Sequence, residues 1–352
     1  MELYQRDRSI LTRTLPYYQF KRDFTTVNDY YWGAGSALQA VAGRVRHMKS
    51  SDDFHTELGL VQQKYDKPLG HTPQKYAQQL MVSNRWHRLL TLVTLTSAFE
   101  RYLTAVTTTA IASDPVLEPG FPKKIDGLTL AKYRLQAGER STEALTKGEW
   151  SGRLAAFRKY FGTVPSILQS HEGTLETMRN TRNQVAHSFG LDTSSMPAHS
   201  AMLIGARRKT TPNFDAVSVS EATIKKWLAT IDACATAIDG HLLPNFIGGY
   251  EIAAICIEWI EDRDRLHKAT GIRLSGNGSD ARKLGKFLGE LLAYPVQHET
   301  AQAIIDYIDR LLIYLLSRLA LLALFCIRHV RTASRTRSAR ASCRMSWRSH
   351  IP

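Results

Sequence analysis

A long helical pattern of apolar residues over positions 79–113 restricts the fold more than any other feature of this chain. Side chains that recur every three or four residues share one face of a helix. Here that face carries Leu89, Leu92, Thr96, Phe99, Leu103 and Val106. Asp114-Pro115 ends the pattern, because the residue before a proline disfavours helical geometry. Further helical patterns follow and little strand pattern is present, so we predict a mainly α fold.

The chain divides into four regions by pattern. Helices are expected at residues 150–161, 220–239, 249–268 and 283–316. We predict an N-terminal mixed region at 1–78, a helical domain at 79–245, a C-terminal helical region at 246–316, and a tail at 317–352. The aromatic cluster near residues 17–32 is interpreted as a satellite core under loops, with base stacking as the alternative.

The tail has an unusual composition. Leu311–Ile327 is almost continuously apolar, and residues 328–352 are rich in Arg and Ser. Three interpretations are open: a disordered basic tail, a membrane tail anchor, or a slip of the reading frame near the end. Nine Arg residues follow Asp309, the last acidic residue, so they account for nine of the 14 net positive charges and leave +5 for residues 1–309. That mild charge permits RNA binding.

The cysteine and histidine patterns argue against bound metal. The four Cys residues form no C-x-x-C pair, and no zinc-ligand spacing is present. We therefore expect no metal and no cofactor, and reduced cysteines typical of the cytoplasm. The N-terminus lacks an apolar run, so no signal peptide is expected.

Residues 178–190, MRNTRNQVAHSFG, are interpreted as the end of a helix, with Gly190 as its stop. Arg182 lies in an otherwise mostly apolar stripe formed by Leu168, His171, Leu175, Met178, Val185 and Phe189. A buried cation without a partner costs several kcal/mol, so Arg182 needs one. Glu100, on the upstream helix, is the candidate.

Arg182 and His187 supply the chemistry of phosphodiester cleavage. An imidazole moves protons near neutral pH, and a guanidinium binds phosphate with a planar set of donors. The two residues are five apart, so about 140° separates them on one helix. One copy of the chain does not easily aim both at the same atom. Two helix ends that meet across a two-fold axis would do so, which predicts a homodimer.

The sequence Arg182-Asn183-x-x-x-His187, with Val185-Ala186 before the histidine and Glu100 on an upstream helix, resembles the R-x4-6-H signature of the HEPN ribonucleases. The resemblance covers roughly residues 80–245. It implies a HEPN-like helical bundle with additional N- and C-terminal helical regions. It also implies a homodimeric, metal-independent endoribonuclease that cleaves single-stranded RNA and leaves a 2′,3′-cyclic phosphate.

The resemblance also implies roles for four residues. His187 is the general acid or base, and Arg182 stabilises the charged phosphorane. Asn183 orients His187 or holds the phosphate, and Glu100 positions Arg182. Proteins of this kind serve as toxins or phage-defence effectors, a context that admits a neutralising or activating protein partner.

Basic residues outside the motif are candidate RNA contacts. Arg179 precedes the motif, and Arg207, Arg208 and Lys209 lie in the loop that follows it. Arg153, Arg158 and Lys159 are further candidates on the helix at 150–161. A solvated surface is the alternative interpretation of these charges.

Two other functions stay open. In the first, the chain is a non-catalytic helical binding module, in which Arg182 and Glu100 form a structural salt bridge and the helix dipole favours His187 at the end of its helix. Alternatively it is a membrane-attached effector that uses Leu311–Ile327.

Overall fold

The computed structural model describes residues 5–49, 58, 72–117, 119–121, 123–132, 140–188, 217–261, 280–292 and 297–307. Helices dominate these residues and no strand occurs among them, which confirms the predicted mainly α class. The helices are α1 (Leu15–Arg46), α2 (Pro73–Ser113), α3 (Gly127–Lys132), α4 (Glu143–Thr146), α5 (Trp150–Phe161), α6 (Ser166–Ser170), α7 (Glu172–Ser188), α8 (Glu221–Leu242), α9 (Tyr250–Glu261) and α10 (Asp280–Leu292). A π-helical turn, Leu243–Ile247, follows α8, and residues 298–307 are helical.

Helices α1 and α2 are the longest described elements, and each begins at a threonine cap. The Thr14 hydroxyl accepts a hydrogen bond from the Tyr17 backbone nitrogen at 3.2 Å, and the Thr72 hydroxyl accepts one from Lys75 at 3.3 Å. A proline occupies the first turn of each helix, where its missing N–H costs nothing. The predicted boundary at residue 78 is wrong, because α2 runs through it and α1 packs along α2.

The early aromatic residues belong to the main core. Phe20 is fully buried, with its ring 6.3 Å from that of Phe99 and 5.2 Å from that of Tyr102. The Tyr102 hydroxyl donates to the Ala235 carbonyl at 3.0 Å and so joins α2 to α8. The interpretation as a satellite core is therefore wrong for this buried part of the cluster. Trp32 and Tyr30 stay about half exposed, at 45% and 49%.

Buried carboxyls hold the start of α1. Asp239 accepts hydrogen bonds from the Thr14 hydroxyl and the Thr14 backbone nitrogen, and Glu251 accepts one from the Leu15 backbone nitrogen at 3.0 Å. Arg13 lies 3.6 Å from the second Asp239 oxygen, an ion-pair distance too long for a hydrogen bond. Burial raises the pKa of both carboxyls, that of Glu251 to about 7.

The chain folds into two compact units. One consists of residues 7–127 and 136–251, and it contains α1, α2 and α4–α8. The other consists of residues 1–6, 128–135 and 252–352. In this second unit the buried rings of Trp259 and Phe287 stack with centroids 6.4 Å apart. The division near residue 251 lies close to the predicted division after residue 245.

Several sequence predictions concern residues outside the described ranges. They include the tail at 317–352, the apolar segment Leu311–Ile327 and the predicted helix stop at Gly190. Over the described ranges, no helix combines the length and the apolar character needed to cross a membrane.

Candidate functional site

Helix α7 carries the motif, and its apolar face is buried as predicted. Leu175 and Met178 are each 1% exposed, and Val185 is 7% exposed. The predicted stripe is interrupted at His171, which ends the short helix α6 before α7 begins at Glu172. Because the apolar face fixes the rotation of α7, the side chain of Arg182 is directed toward α2.

Arg182 is half-buried and has two partners in its own chain. Its Nη2 atom lies 3.9 Å from Oε2 of Glu100, and its Nη1 atom donates to Oδ1 of Asn183 at 3.1 Å. Its Nε atom is buried and has no hydrogen-bond partner in the described part of the chain. The guanidinium is therefore held in place by a carboxylate while some of its donor capacity is unused.

Glu100 is itself fixed from the core side by Arg153. The Arg153 side chain is 5% exposed, and its Nη2 atom donates to Oε1 of Glu100 at 3.3 Å. Its Nε atom donates to the Gly148 carbonyl at 3.1 Å, and its guanidinium lies 4.8 Å from the centre of the Trp150 ring. Burial lowers the pKa of Arg153, and the Glu100 carboxylate opposes that change. The prediction that Arg153 contacts RNA is wrong, because its side chain is inside the protein.

Arg179 is held by a second carboxylate. Its Nε atom lies 3.1 Å from each oxygen of Glu176. One of these oxygens also accepts a hydrogen bond from the Trp150 backbone nitrogen at 3.0 Å. The hydrogen bond from Arg179 lowers the pKa of Glu176, and the same bond raises the pKa of Arg179. Arg179 is therefore engaged by Glu176, which leaves only part of its donors for any other partner. Arg207, Arg208 and Lys209 lie outside the described residues.

These charged groups surround a small cavity of about 20 Å³, which has room for about one water molecule. Three guanidiniums and one carboxylate line it together with the Trp150 ring and apolar side chains; the charged residues are Arg153, Arg179, Arg182 and Glu100. The cavity is too small for a nucleotide. A phosphate would meet Arg182 from the solvent side, where 31% of its side chain is exposed.

His187 lies in the last turn of α7 and is exposed. Among the residues that the structure describes, none forms a hydrogen bond with its imidazole, in contrast to Arg182 five residues earlier. The side-chain oxygen of Asn183 accepts a hydrogen bond from the guanidinium of Arg182, so this amide is already engaged. Within the described residues of one copy, Arg182 therefore contacts Glu100 of α2, while the side chain of His187 is exposed.

The sequence itself carries a signal that Arg153 is a buried, paired cation. Trp150, Arg153, Leu154 and Phe157 share the buried face of α5, at spacings of three and four residues. A cation at such a position must be paired, as Arg182 must be.

Across the described ranges, no three His, Cys, Asp or Glu residues are grouped so that they could hold a metal ion. Comparison of the chain with protein-family models, with curated proteins and with solved structures finds no match.

Proposed function

We propose that this chain is a metal-independent endoribonuclease that cuts single-stranded RNA and acts as a homodimer. One observation carries the proposal: Arg182 is half-buried beside Glu100, its Nε atom has no hydrogen-bond partner among the described residues, and an exposed histidine follows five residues later on the same helix. A guanidinium that is already oriented by a carboxylate stabilises a charged transition state without the cost of ordering it during the reaction.

In the proposed reaction His187 removes the proton from a ribose 2′-hydroxyl. The 2′-oxygen forms a bond to the adjacent phosphorus, and the bond from phosphorus to the 5′-oxygen breaks. The 5′-oxygen takes a proton from a second imidazole or from water. The products are a 2′,3′-cyclic phosphate and a 5′-hydroxyl end, so no oxidant or other co-reactant is consumed. Arg182 stabilises the charge on the phosphorane.

Asn183 and Glu100 support Arg182 in this proposal. Asn183 contacts Nη1 and Glu100 lies beside Nη2, which fixes the plane of the guanidinium. Of the two roles predicted for Asn183, its hydrogen bond to Arg182 favours a role at the phosphate. The fixed guanidinium then presents its remaining donors to the phosphate oxygens.

The proposal is tested by incubating purified protein with single-stranded RNA in EDTA. We expect cleavage with 2′,3′-cyclic phosphate ends, and we expect His187→Ala to lower the rate by about 10²–10⁴. His47→Ala is the matched control, since His47 is also an exposed histidine at the end of a helix. Equal activity of folded His187→Ala and His47→Ala would assign the cleavage to another site.

A non-catalytic binding module is the second candidate. The partners that Arg182 already has, Glu100 and Asn183, favour it, because a structural salt bridge would have the same geometry. Wild-type protein that binds RNA or another partner tightly but cuts no RNA under any condition would establish this function and exclude the first.

A further inference from the structure

A polar cleft lies between α1, α2 and the first turn of α8, away from the motif helix. Its volume is about 150 Å³, smaller than the roughly 300–1,000 Å³ of sites for drug-sized ligands. It therefore has room for a single flat ring system. Arg88, on its rim, precedes Glu100 by twelve residues of α2, or about 18 Å along the helix. The cleft is thus separate from the surroundings of Arg182.

A rigid histidine forms part of the lining of the cleft. His87 is 5% exposed, its ring stacks on that of Tyr31 at 5.3 Å, and its Nε2 atom lies 3.0 Å from the Tyr31 carbonyl. Since a carbonyl only accepts, Nε2 carries the proton and Nδ1 is an acceptor in the neutral ring. Nδ1 is buried without a hydrogen-bond partner in the described residues. Such an atom is costly unless a ligand or water donates to it.

The walls offer unpaired hydrogen-bonding groups and an aromatic surface. Gln39 of α1 and Asn84 of α2 are exposed, and their side-chain amides have no partner in the described part of the protein. The Nε atom of Arg88 donates to the Asn84 carbonyl at 3.3 Å, and its charge acts on the carboxylate of Glu221, which also lines the cleft. The Trp32 ring is 45% exposed, and its Nε1 atom donates to Asn28 at 3.1 Å. The Lys225 ammonium lies 4.9 Å from the centre of this ring, so a base stacks on the ring area that Lys225 leaves uncovered.

We propose that this cleft binds a nucleobase, with adenine as the preferred base. Asn and Gln amides pair with the adjacent amino donor and ring-nitrogen acceptor of adenine. An exposed tryptophan supplies a stacking surface for a base. Either a free nucleotide or an unpaired base of a nucleic-acid strand presents this chemistry. The proposal does not depend on cleavage at Arg182 and His187.

Two glycines of α1 provide matched variants. A Cβ atom at Gly35 would lie 3.6 Å from Nε2 of His87, an ordinary contact, so Gly35→Leu places a side chain in the cleft without displacing backbone. A Cβ atom at Gly33 would meet nothing within 4 Å, so Gly33→Leu adds the same side chain outside the cleft. Both substitutions favour the helix, since leucine has the higher helix propensity.

The test is a set of binding titrations with the full chain. Adenosine monophosphate is titrated by calorimetry, and labelled oligodeoxyadenylate and oligodeoxythymidylate of equal length are titrated by fluorescence anisotropy. The deoxy strands lack the 2′-hydroxyl that the proposed cleavage needs, so binding is measured without reaction. We expect oligodeoxyadenylate to bind more tightly than oligodeoxythymidylate. We expect Gly35→Leu to weaken binding about tenfold or more, and Gly33→Leu to leave it unchanged.

Each outcome decides the proposal. Binding of adenosine monophosphate that Gly35→Leu weakens supports the site with a free nucleotide as its source. Binding of the strand alone, weakened by the same variant, supports the site with a nucleic-acid strand as its source. Absence of binding by all three ligands, measurable but equal affinity for the two strands, or equal effects of the two glycine variants would overturn it. None of these results depends on whether wild-type protein cuts RNA.

Discussion

At the scale of single residues, Arg153 has the clearest mechanical role in the candidate site. It donates to Glu100 and to the Gly148 carbonyl and lies against the Trp150 ring, so one buried side chain fixes the carboxylate beside Arg182. Because it acts through Glu100, Arg153 is a positioning residue. Lysine does not reproduce its planar set of donors, so it is not an equivalent replacement.

Replacing Arg153 tests this role. In Arg153→Met we expect Glu100 to lose one of its two cations, so that Arg182 is no longer fixed. The variant should cut RNA with a kcat lowered by about 10-fold or more and a nearly unchanged KM, since Arg182 acts on the charge that develops in the transition state. Melting temperature is measured in parallel. Arg44→Met, at an exposed position in the last turn of α1, removes the same charge away from the candidate site and should match wild type in both measurements. A lower melting temperature with unchanged kcat would contradict the positioning role.

At the scale of helices, local pattern predicted both ends of α5 and the buried face of α7, but not the break at His171 before α7. The bounds of α5 agree with the prediction at both ends, because Glu149 and Gly162 flank a clear apolar face. Helix α1 was not predicted, since glycines such as Gly33 and Gly35 weaken the local helical signal. Packing of α1 against α2 stabilises it instead, and that partner is remote in sequence. For the same reason the pairing of Arg153 with Glu100, 53 residues away, was missed.

The start of α1 should make the stability of the protein depend on pH. Burial raises the pKa of Glu251 from 4.5 to about 7, so between these values the folded chain binds a proton that the unfolded chain has released. The free energy of unfolding therefore falls as pH rises through this window and levels off above about 7. The Asp239 carboxyl, with a pKa also raised by burial, adds a change of the same sign.

Glu251→Gln should remove part of that pH dependence. Glutamine stays neutral and keeps an oxygen for the Leu15 backbone nitrogen. We expect the melting temperature of wild type to fall relative to that of Glu251→Gln as the pH is raised from about 5 to about 8. Glu258→Gln, at an exposed position on the same helix, should follow wild type. Parallel curves for wild type and Glu251→Gln would show that Glu251 has an ordinary pKa.

At the scale of the whole molecule, the geometry of one copy separates the two motif residues. Arg182 contacts α2, and His187 is exposed at the end of α7. The sequence predicted this divergence from helix periodicity alone, because five residues turn the helix by about 140°. It could not define the second copy, since no sequence pattern in one chain gives the geometry of a two-fold interface. The proposed site therefore requires a dimer in which Arg182 and His187 of different copies meet.

Mixing two inactive variants tests this central claim most directly. Arg182→Ala and His187→Ala are purified separately, and circular dichroism is used to verify that each is folded. They are then mixed under conditions that allow subunits to exchange, and cleavage of single-stranded RNA is measured. A mixed dimer retains one Arg182 and one His187 on different copies. We predict that the mixture cuts RNA well above either variant alone, with a maximum near equal proportions. A mixture as inactive as its components, alongside active wild type, would contradict a site shared between two copies.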